Sequence, residues 1–366
     1  MFKCTDCGKT YSEEEIKYKC DSCGSLLKVE REISEPSFKG PGMEKYREVL
    51  AVDSDIVTLQ EGSTPLYDSS ELAQKYELDD VFLKFEGTNP TGSFKDRGSS
   101  VAITKALEYG YSSVSLASTG NMAASVAAYS SRARLRSNIY IPYDTPIGKI
   151  SQVLAYNGNL VMVKGDFQKC LERAKMRTEE GDYLAMTGLN PYYLEGEKTV
   201  GYELIHQRKE IYSDKKNPDV LIVPMGTGGL LSSIYWSFKE QKKLGLIDEV
   251  PMIIGAQSKV CSPIADAFNE GHKRPRPPQG PVDTIAESIH VKVPFNGHTA
   301  VEAMRKTDGF AVKVTDDHII EAVFEMGKEG VFAEPAGAIP LAALKKIMDP
   351  EEEDLNIDSD KSVALM

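Results

Sequence analysis

The stretch Leu221-Ile222-Val223-Pro224-Met225-Gly226-Thr227-Gly228-Gly229-Leu230-Leu231 decides the fold. Its first residues form a short apolar run rich in β-branched side chains. The glycines break that run, and the residues from Leu230 to Lys242 fit a helical window. Strand, glycine turn and helix make up one step of a repeating alternation, and the same step recurs outward in both directions. Short β-rich runs stand at Val81–Phe85, Val114–Ala117, Asn138–Ile141, Leu160–Val163, Met252–Ile254 and Ala311–Val314, with helical windows such as Ala123–Ala133 and Phe167–Thr178 between them. Lys361–Met366 reads as the start of one more buried strand. This alternation predicts an α/β protein with largely parallel sheet. Parallel sheets collect their ligands at strand C-termini, so the loops that follow strands are where chemistry is sought.

Composition narrows the field. A chain of 366 residues with 41% hydrophobic content has enough apolar surface for two domains, each with its own core. Its net charge of -12 lacks the basic footprint of a nucleic-acid binder. Seven acids cluster at Asp349, Glu351, Glu352, Glu353, Asp354, Asp358 and Asp360, a pattern read as a solvated loop. Lys273–Pro278, with three basic residues and three prolines, is likewise a surface loop. No apolar window is long enough to span a membrane, and Met1-Phe2-Lys3-Cys4 does not begin a secretory signal. The expectation is a soluble, cytoplasmic protein.

Four of the six cysteines form two C-x-x-C pairs, Cys4/Cys7 and Cys20/Cys23, separated by twelve residues and each followed by a glycine, Gly8 or Gly24. Two such knuckles can set four thiolates around one tetrahedral Zn2+, the alternative being free cysteines in a frayed terminus. About 30 residues bury too little apolar surface to fold alone, so the metal would supply the folding energy of a zinc-ribbon-like module over residues 1–30. Four thiolates leave no open coordination position, which makes the zinc structural. Cys170 and Cys261 stand alone and read as buried small side chains. The turn-rich text from 31 to 60 reads as a linker or arm.

Three post-strand loops carry residues suited to chemistry. In Asn89-Pro90-Thr91-Gly92-Ser93-Phe94-Lys95-Asp96-Arg97-Gly98, a lysine stands at the mouth of a helix, where the helix dipole and Arg97 would lower an amine pKa and favour a Schiff base. The alternative is a surface lysine in a charged turn. Ser118-Thr119-Gly120-Asn121 follows one strand and opens a helix. Free amides there bind an anion such as a carboxylate, although ordinary N-capping by Ser118 or Thr119 reads the same residues. Gly226-Thr227-Gly228-Gly229 lets backbone amides close around a phosphate, or is a simple turn. It is not a dinucleotide fingerprint, because Leu231 occupies the last glycine position.

An amine for an imine, an amide cradle for a phosphate and a separate carboxylate site are what a pyridoxal phosphate enzyme acting on an amino acid requires. With Glu61-Gly62-Ser63-Thr64-Pro65-Leu66, Asn190-Pro191-Tyr192-Tyr193-Leu194-Glu195-Gly196-Glu197-Lys198-Thr199 and Glu334-Pro335-Ala336, the three loops resemble threonine synthase, and the resemblance runs from the N-terminal cysteines to about residue 365. It implies the type II pyridoxal phosphate fold, similar to the tryptophan synthase β chain. The large cofactor-binding domain would comprise 61–95 and 196–366, the small domain 96–195, and the protein would form a homodimer. By the same resemblance Lys95 would hold pyridoxal 5'-phosphate covalently, Asn121 would bond its ring oxygen, and Gly226, Thr227, Gly228 and Gly229 would hold its phosphate. Ser118 and Thr119 would take the carboxylate of an amino-acid substrate. The implied reaction converts O-phospho-L-homoserine and water to L-threonine and phosphate.

Some positions depart from the family. Gly188 and Tyr193 stand where a serine and an arginine commonly grip the substrate phosphate, Thr227 replaces an asparagine and Met122 a threonine. Without the arginine, a leaving phosphate needs another cation, and Lys149 or Lys198 is the expected substitute. The alternatives these departures open are a dehydratase, a β-replacement enzyme, and a threonine-synthase-like protein that binds ligands without turnover. The family's Thr-Gly-x-Gly-Leu-Lys segment, which follows a strand like Lys361–Met366 and contacts the pyridine nitrogen, is not among the 366 residues.

Overall fold

The structure, a computed structural model, describes residues 1–34, 36–212, 217–280, 282–352 and 355–366. In chain order its elements are β1 (Phe2–Cys4), β2 (Thr10–Tyr11), β3 (Leu27–Val29), β4 (Leu66–Asp68), α1 (Ser70–Lys75), β5 (Asp80–Lys84), α2 (Lys95–Glu108), β6 (Ser113–Ala117) and α3 (Asn121–Ala133). There follow β7 (Arg136–Pro142), α4 (Ile147–Ala155), β8 (Asn159–Val163), α5 (Phe167–Glu179), β9 (Tyr183–Leu184), α6 (Pro191–Ile211), β10 (Val220–Pro224), α7 (Gly229–Lys243) and β11 (Met252–Ser258). The chain ends with α8 (Pro263–Asn269), α9 (Gly297–Lys306), β12 (Ala311–Val314), α10 (Asp316–Lys328), α11 (Pro335–Ile347) and β13 (Ser362–Leu365). Each β-rich run quoted above overlaps one of these strands, with the bounds shifted by at most a few residues.

The chain divides into two compact units, Met1–Ser63 with Gly87–Thr199, and Thr64–Glu86 with Val200–Met366. The sequence reading put the divisions at 61, 95/96 and 195/196 and kept residues 1–60 apart as module and arm. In the structure residues 1–63 group with 87–199, and the reason lies in packing. Phe2, Cys4, Cys20, Leu27 and Val29 share one core with Met43, Leu50, Ala51, Val52, Ile56, Val101 and Tyr192. The stretch read as an arm holds a 3-10 helix, Gly42–Val49, whose Met43, Tyr46 and Val49 are buried.

Within the first unit a parallel sheet runs in the order β8-β7-β6-β9, with Leu116 opposite Ile139 and Ala117 opposite Tyr140. Strands β6 and β7 are almost wholly buried, which is why they read as continuous apolar runs. The N-terminal segment adds a small antiparallel sheet, β2-β1-β3. Helix α2 is buried from Asp96 to Ala106, although its sequence has no clean apolar stripe. Its small residues allow close approach, and a Cβ on Gly98 would collide with the Tyr193 ring.

The second unit is built on a six-stranded sheet, β12-β11-β10-β13-β5-β4, parallel except for the antiparallel edge strand β4. Strand β13, the run anticipated at Lys361–Met366, is central: Val363 pairs with Val220 on one side and Val81 on the other. Its buried Val363 and Leu365 pack with Ile222, Ile254, Val312 and the apolar face of α11. Lys84, the last residue of β5, is buried as a charge but compensated, with its Nζ 2.6 Å from Glu203 and 2.8 Å from the Thr64 carbonyl oxygen. Lys273–Pro278 is irregular and largely exposed, as its composition suggested. Glu353 and Asp354 of the acidic run lie outside the described residues. No helix among the described residues is long and apolar enough to cross a membrane.

Candidate active site

Lys95 is the first residue of α2, and the preceding turn is pinned by its neighbour. The buried Asp96 carboxylate accepts from the Thr91 amide at 2.7 Å and from its hydroxyl at 2.5 Å. Burial pushes the Asp96 carboxyl up, opposed by hydrogen bonds from Ser125 and Thr91. The turn therefore presents Lys95 in a fixed direction. Its half-buried ammonium lies 4.0 Å from the Phe94 ring centroid and 3.2 Å from Glu197 Oε1. Sequence reading had set Arg97 beside this amine. In the structure the Arg97 guanidinium is fully buried and donates to Thr199 Oγ1 at 3.2 Å, so the charge that meets Lys95 is a carboxylate. Residues two apart on a helix point to different faces, which explains the difference.

Glu197 has no exposed surface, and its Oε1 also accepts from the Thr187 hydroxyl at 3.1 Å. The Thr187 amide in turn donates to Met122 Sδ at 3.3 Å. Met122 is the second residue of α3, so this chain of contacts joins the start of α3 to Lys95 inside the first unit. Gly120 precedes α3, and no side chain caps the helix. Ser118 Oγ accepts from the Gly120 amide, at 3.4 Å. Ser118, Thr119 and Asn121 are half-buried, leaving an amide-rich helix start at the C-terminal end of β6. N-capping by Ser118 or Thr119, the competing reading, is not what the structure adopts.

Two substitute cations were expected. Lys198 is not available: it is buried, donates to the Val49 carbonyl oxygen at 3.1 Å and pairs with Glu195 at 2.9 Å. Lys149 is the third residue of α4, and its side chain lies outside the described part of the structure. Tyr193, at the position of the family's arginine, is fully buried. Its hydroxyl donates to the Lys95 carbonyl oxygen at 2.9 Å and lies 3.1 Å from Ser99 Oγ. Burial and the nearby Glu197 charge hold its phenol well above its ordinary pKa, so it stays a neutral hydroxyl. Glu197 itself went unassigned in the sequence, because the charged run Glu195-Gly196-Glu197-Lys198 reads as an exposed helix face. The one signal available was its spacing from Tyr192 and Tyr193 on a helix otherwise rich in apolar residues.

In the second unit Gly226, Thr227, Gly228 and Gly229 form the turn between β10 and α7. Gly228 adopts φ +85°, and a Cβ there would sit 2.8 Å from the Asn296 carbonyl oxygen, so only glycine fits. Thr227 Oγ1 accepts from the Gly229 amide at 3.3 Å, and no side chain of the preceding residue caps α7.

A model of the pyridoxal-phosphate dependent enzyme family matches residues 57–364. The chain belongs to that family. A threonine synthase of Methanocaldococcus jannaschii is 38% identical over 360 residues, covering 95% of this chain and 87% of that protein. One of Methanosarcina acetivorans is 36% identical over 356 residues, covering 95% and 86%. Among solved structures, maize serine racemase aligns with a TM-score of 0.69 at 26% identity over 82% of this chain and 85% of that one. The type II fold and a pyridoxal-phosphate dependent lyase, both expected from the sequence, follow. The residues present fit the cofactor: an oriented amine at Lys95 in the first unit and, in the second, a glycine-rich turn at Gly226–Gly229 whose one side chain, Thr227, folds back onto the Gly229 amide and which opens a helix of 15 residues.

The four cysteine sulfurs at the N-terminus lie within 4.8 Å of one another, with Cys4 and Cys23 at 3.4 Å and Cys7 and Cys20 at 3.6 Å. A tetrahedral Zn2+ with bonds of about 2.3 Å sets its sulfurs about 3.8 Å apart, so the cluster fits that ion. The Tyr11 hydroxyl, 3.0 Å from Cys20 Sγ, lowers the Cys20 thiol to about 6; burial opposes this and backbone amides assist it. Cys170 and Cys261 are buried small side chains, as read from the sequence.

Proposed function

We propose that this pyridoxal-phosphate dependent enzyme is a threonine synthase, converting O-phospho-L-homoserine and water to L-threonine and phosphate. The observation that carries the reading is the oriented Lys95 amine, paired with the buried Glu197 and joined through Thr187 and Met122 to the uncapped start of α3. The similarity to archaeal threonine synthases over 95% of the chain supports the choice of reaction. Lys95 would hold the cofactor, and its amine would serve as the group that carries protons to and from the α- and β-carbons. Glu197 keeps the amine in that position. Ser118, Thr119 and the amides beside them bind the substrate carboxylate, and Asn121 bonds the cofactor's ring oxygen. Gly226, Thr227, Gly228 and Gly229 hold the cofactor phosphate. Lys149 neutralises the phosphate that leaves the γ-carbon, before water adds at the β-carbon. Pyridoxal phosphate itself, when bound, supplies an electron sink that makes the hydrogens of the amino acid acidic.

The reading extends to one structural Zn2+ held by Cys4, Cys7, Cys20 and Cys23, and to a cytoplasmic homodimer. Phe324 and Phe332, left 70% and 78% exposed, are large apolar side chains of the kind a second copy would cover. Tyr193 favours a second reading, a dehydratase. Its hydroxyl is spent on Lys95 and Ser99, so position 193 offers no charge to a leaving phosphate.

Purified holoenzyme offered O-phospho-L-homoserine, L-threonine and L-serine in separate reactions tests both. Threonine and phosphate formed in equal amounts support the first reading. A 2-oxo acid from threonine or serine supports the second, and binding without product opposes both.

A further inference from the structure

The second unit holds a polar side chain with nothing to bond. Asn296 is fully buried, and neither its Oδ1 nor its Nδ2 has a hydrogen-bond partner among the described residues. Its backbone is fully engaged. The Asn296 amide donates to the Thr227 carbonyl oxygen at 2.9 Å, and its own carbonyl oxygen accepts from the Ala300 amide at 3.0 Å and the Thr299 hydroxyl at 2.8 Å. Asn296 is also the residue before α9, where an asparagine side chain ordinarily bonds the first helical amides, yet it makes no such bond. A buried amide group that bonds nothing is costly, and its usual explanation is a partner outside the protein chain.

The location indicates which partner. Residues on both flanks of the glycine turn are involved: a Cβ on Gly228 would lie 2.8 Å from the Asn296 carbonyl oxygen, and one on Gly226 would lie 3.2 Å from Ile289 Cα. Next to Ile289 in the chain, His290 also leaves its buried Nε2 without a partner among the described residues. We propose that the Asn296 side-chain amide is a positioning residue for the cofactor, donating from Nδ2 to a phosphate oxygen held in the turn Gly226–Gly229. The inference rests on the reading that this turn holds the phosphate. It adds a neutral side-chain donor to a cradle otherwise made of backbone amides.

The test titrates the apoenzyme with pyridoxal phosphate and, separately, with pyridoxal, which keeps the aldehyde and lacks the phosphate. Binding is followed by the visible absorbance band. Asn296→Leu matches the volume and removes both orphan atoms, so the melting temperature of the apoenzyme holds or rises. Its affinity for pyridoxal phosphate falls about tenfold while that for pyridoxal changes less than about twofold. Asn296→Asp, which sets a carboxylate against the phosphate, weakens pyridoxal phosphate further and again spares pyridoxal. Wild-type affinity in both variants would overturn the proposal. So would an equal loss for both ligands with a lower apoenzyme melting temperature, since that marks a role in the fold alone. If the wild-type apoenzyme itself binds the two ligands equally, the phosphate is not held and the reading of the turn fails beneath the proposal.

Discussion

Lys95 and Glu197 are 102 positions apart in the chain, yet their side chains meet at 3.2 Å. A buried carboxylate against this amine fixes where the nitrogen can point, and this geometry distinguishes Lys95 from a surface lysine. Glu197→Gln keeps the shape and removes the charge. It should leave the absorbance band of the bound cofactor in place and lower kcat about ten- to a hundredfold, the loss of one charge-assisted hydrogen bond. A kcat within about twofold of wild type would remove Glu197 from the account. Lys95→Ala should lose the band and the label that borohydride otherwise fixes on the protein, while circular dichroism stays unchanged. In the sequence the turn by itself left Lys95 open between an imine-forming amine and a surface lysine, and only the three loops taken together singled it out. Its partner was not legible, because burial of Glu197 depends on Thr187 and Tyr193 closing around it, which spacing along α6 does not reveal.

Among elements, the strands were the most legible. Both faces of β6, β7 and β10 are covered, so their residues form unbroken apolar runs that announce themselves. Residues 31–60 were hard to read for the opposite reason. Met43, Leu50, Val52 and Ile56 are scattered among turn residues, and only the core they share with Phe2, Val101 and Tyr192 gives them meaning. The same core ties the cysteine module to α2 and α6. Tyr109, at the end of α2, donates to the Glu13 carbonyl oxygen at 2.7 Å, and Tyr192 of α6 donates to the Glu13 carboxylate at 3.0 Å. Metal analysis of unoxidised protein should therefore find about one zinc per chain, and Cys20→Ser should lose it together with several degrees of melting temperature. A zinc-free wild type with unchanged stability would argue against the site. The pH dependence follows in sign. The Cys20 thiol falls from 9.0 to about 6 on folding, so its contribution is complete above pH 9 and lost as pH falls through about 6. Zinc should be retained at neutral pH and released on acidification, as protons compete for the thiolates; metal release followed with a chromogenic chelator across that range checks it.

At the scale of the whole molecule, the residues of the proposed reading are divided between the two units. Lys95, Glu197 and the start of α3 belong to the first unit, the glycine turn and Asn296 to the second. The central claim is that the enzyme breaks the bond between the γ-carbon and the phosphate oxygen and delivers water to the β-carbon. Turnover of O-phospho-L-homoserine in water enriched in oxygen-18 tests this most directly. The account predicts threonine carrying one heavy oxygen in its hydroxyl group and an equal amount of phosphate carrying none. Homoserine with the label in the phosphate, or no product at all, would contradict it.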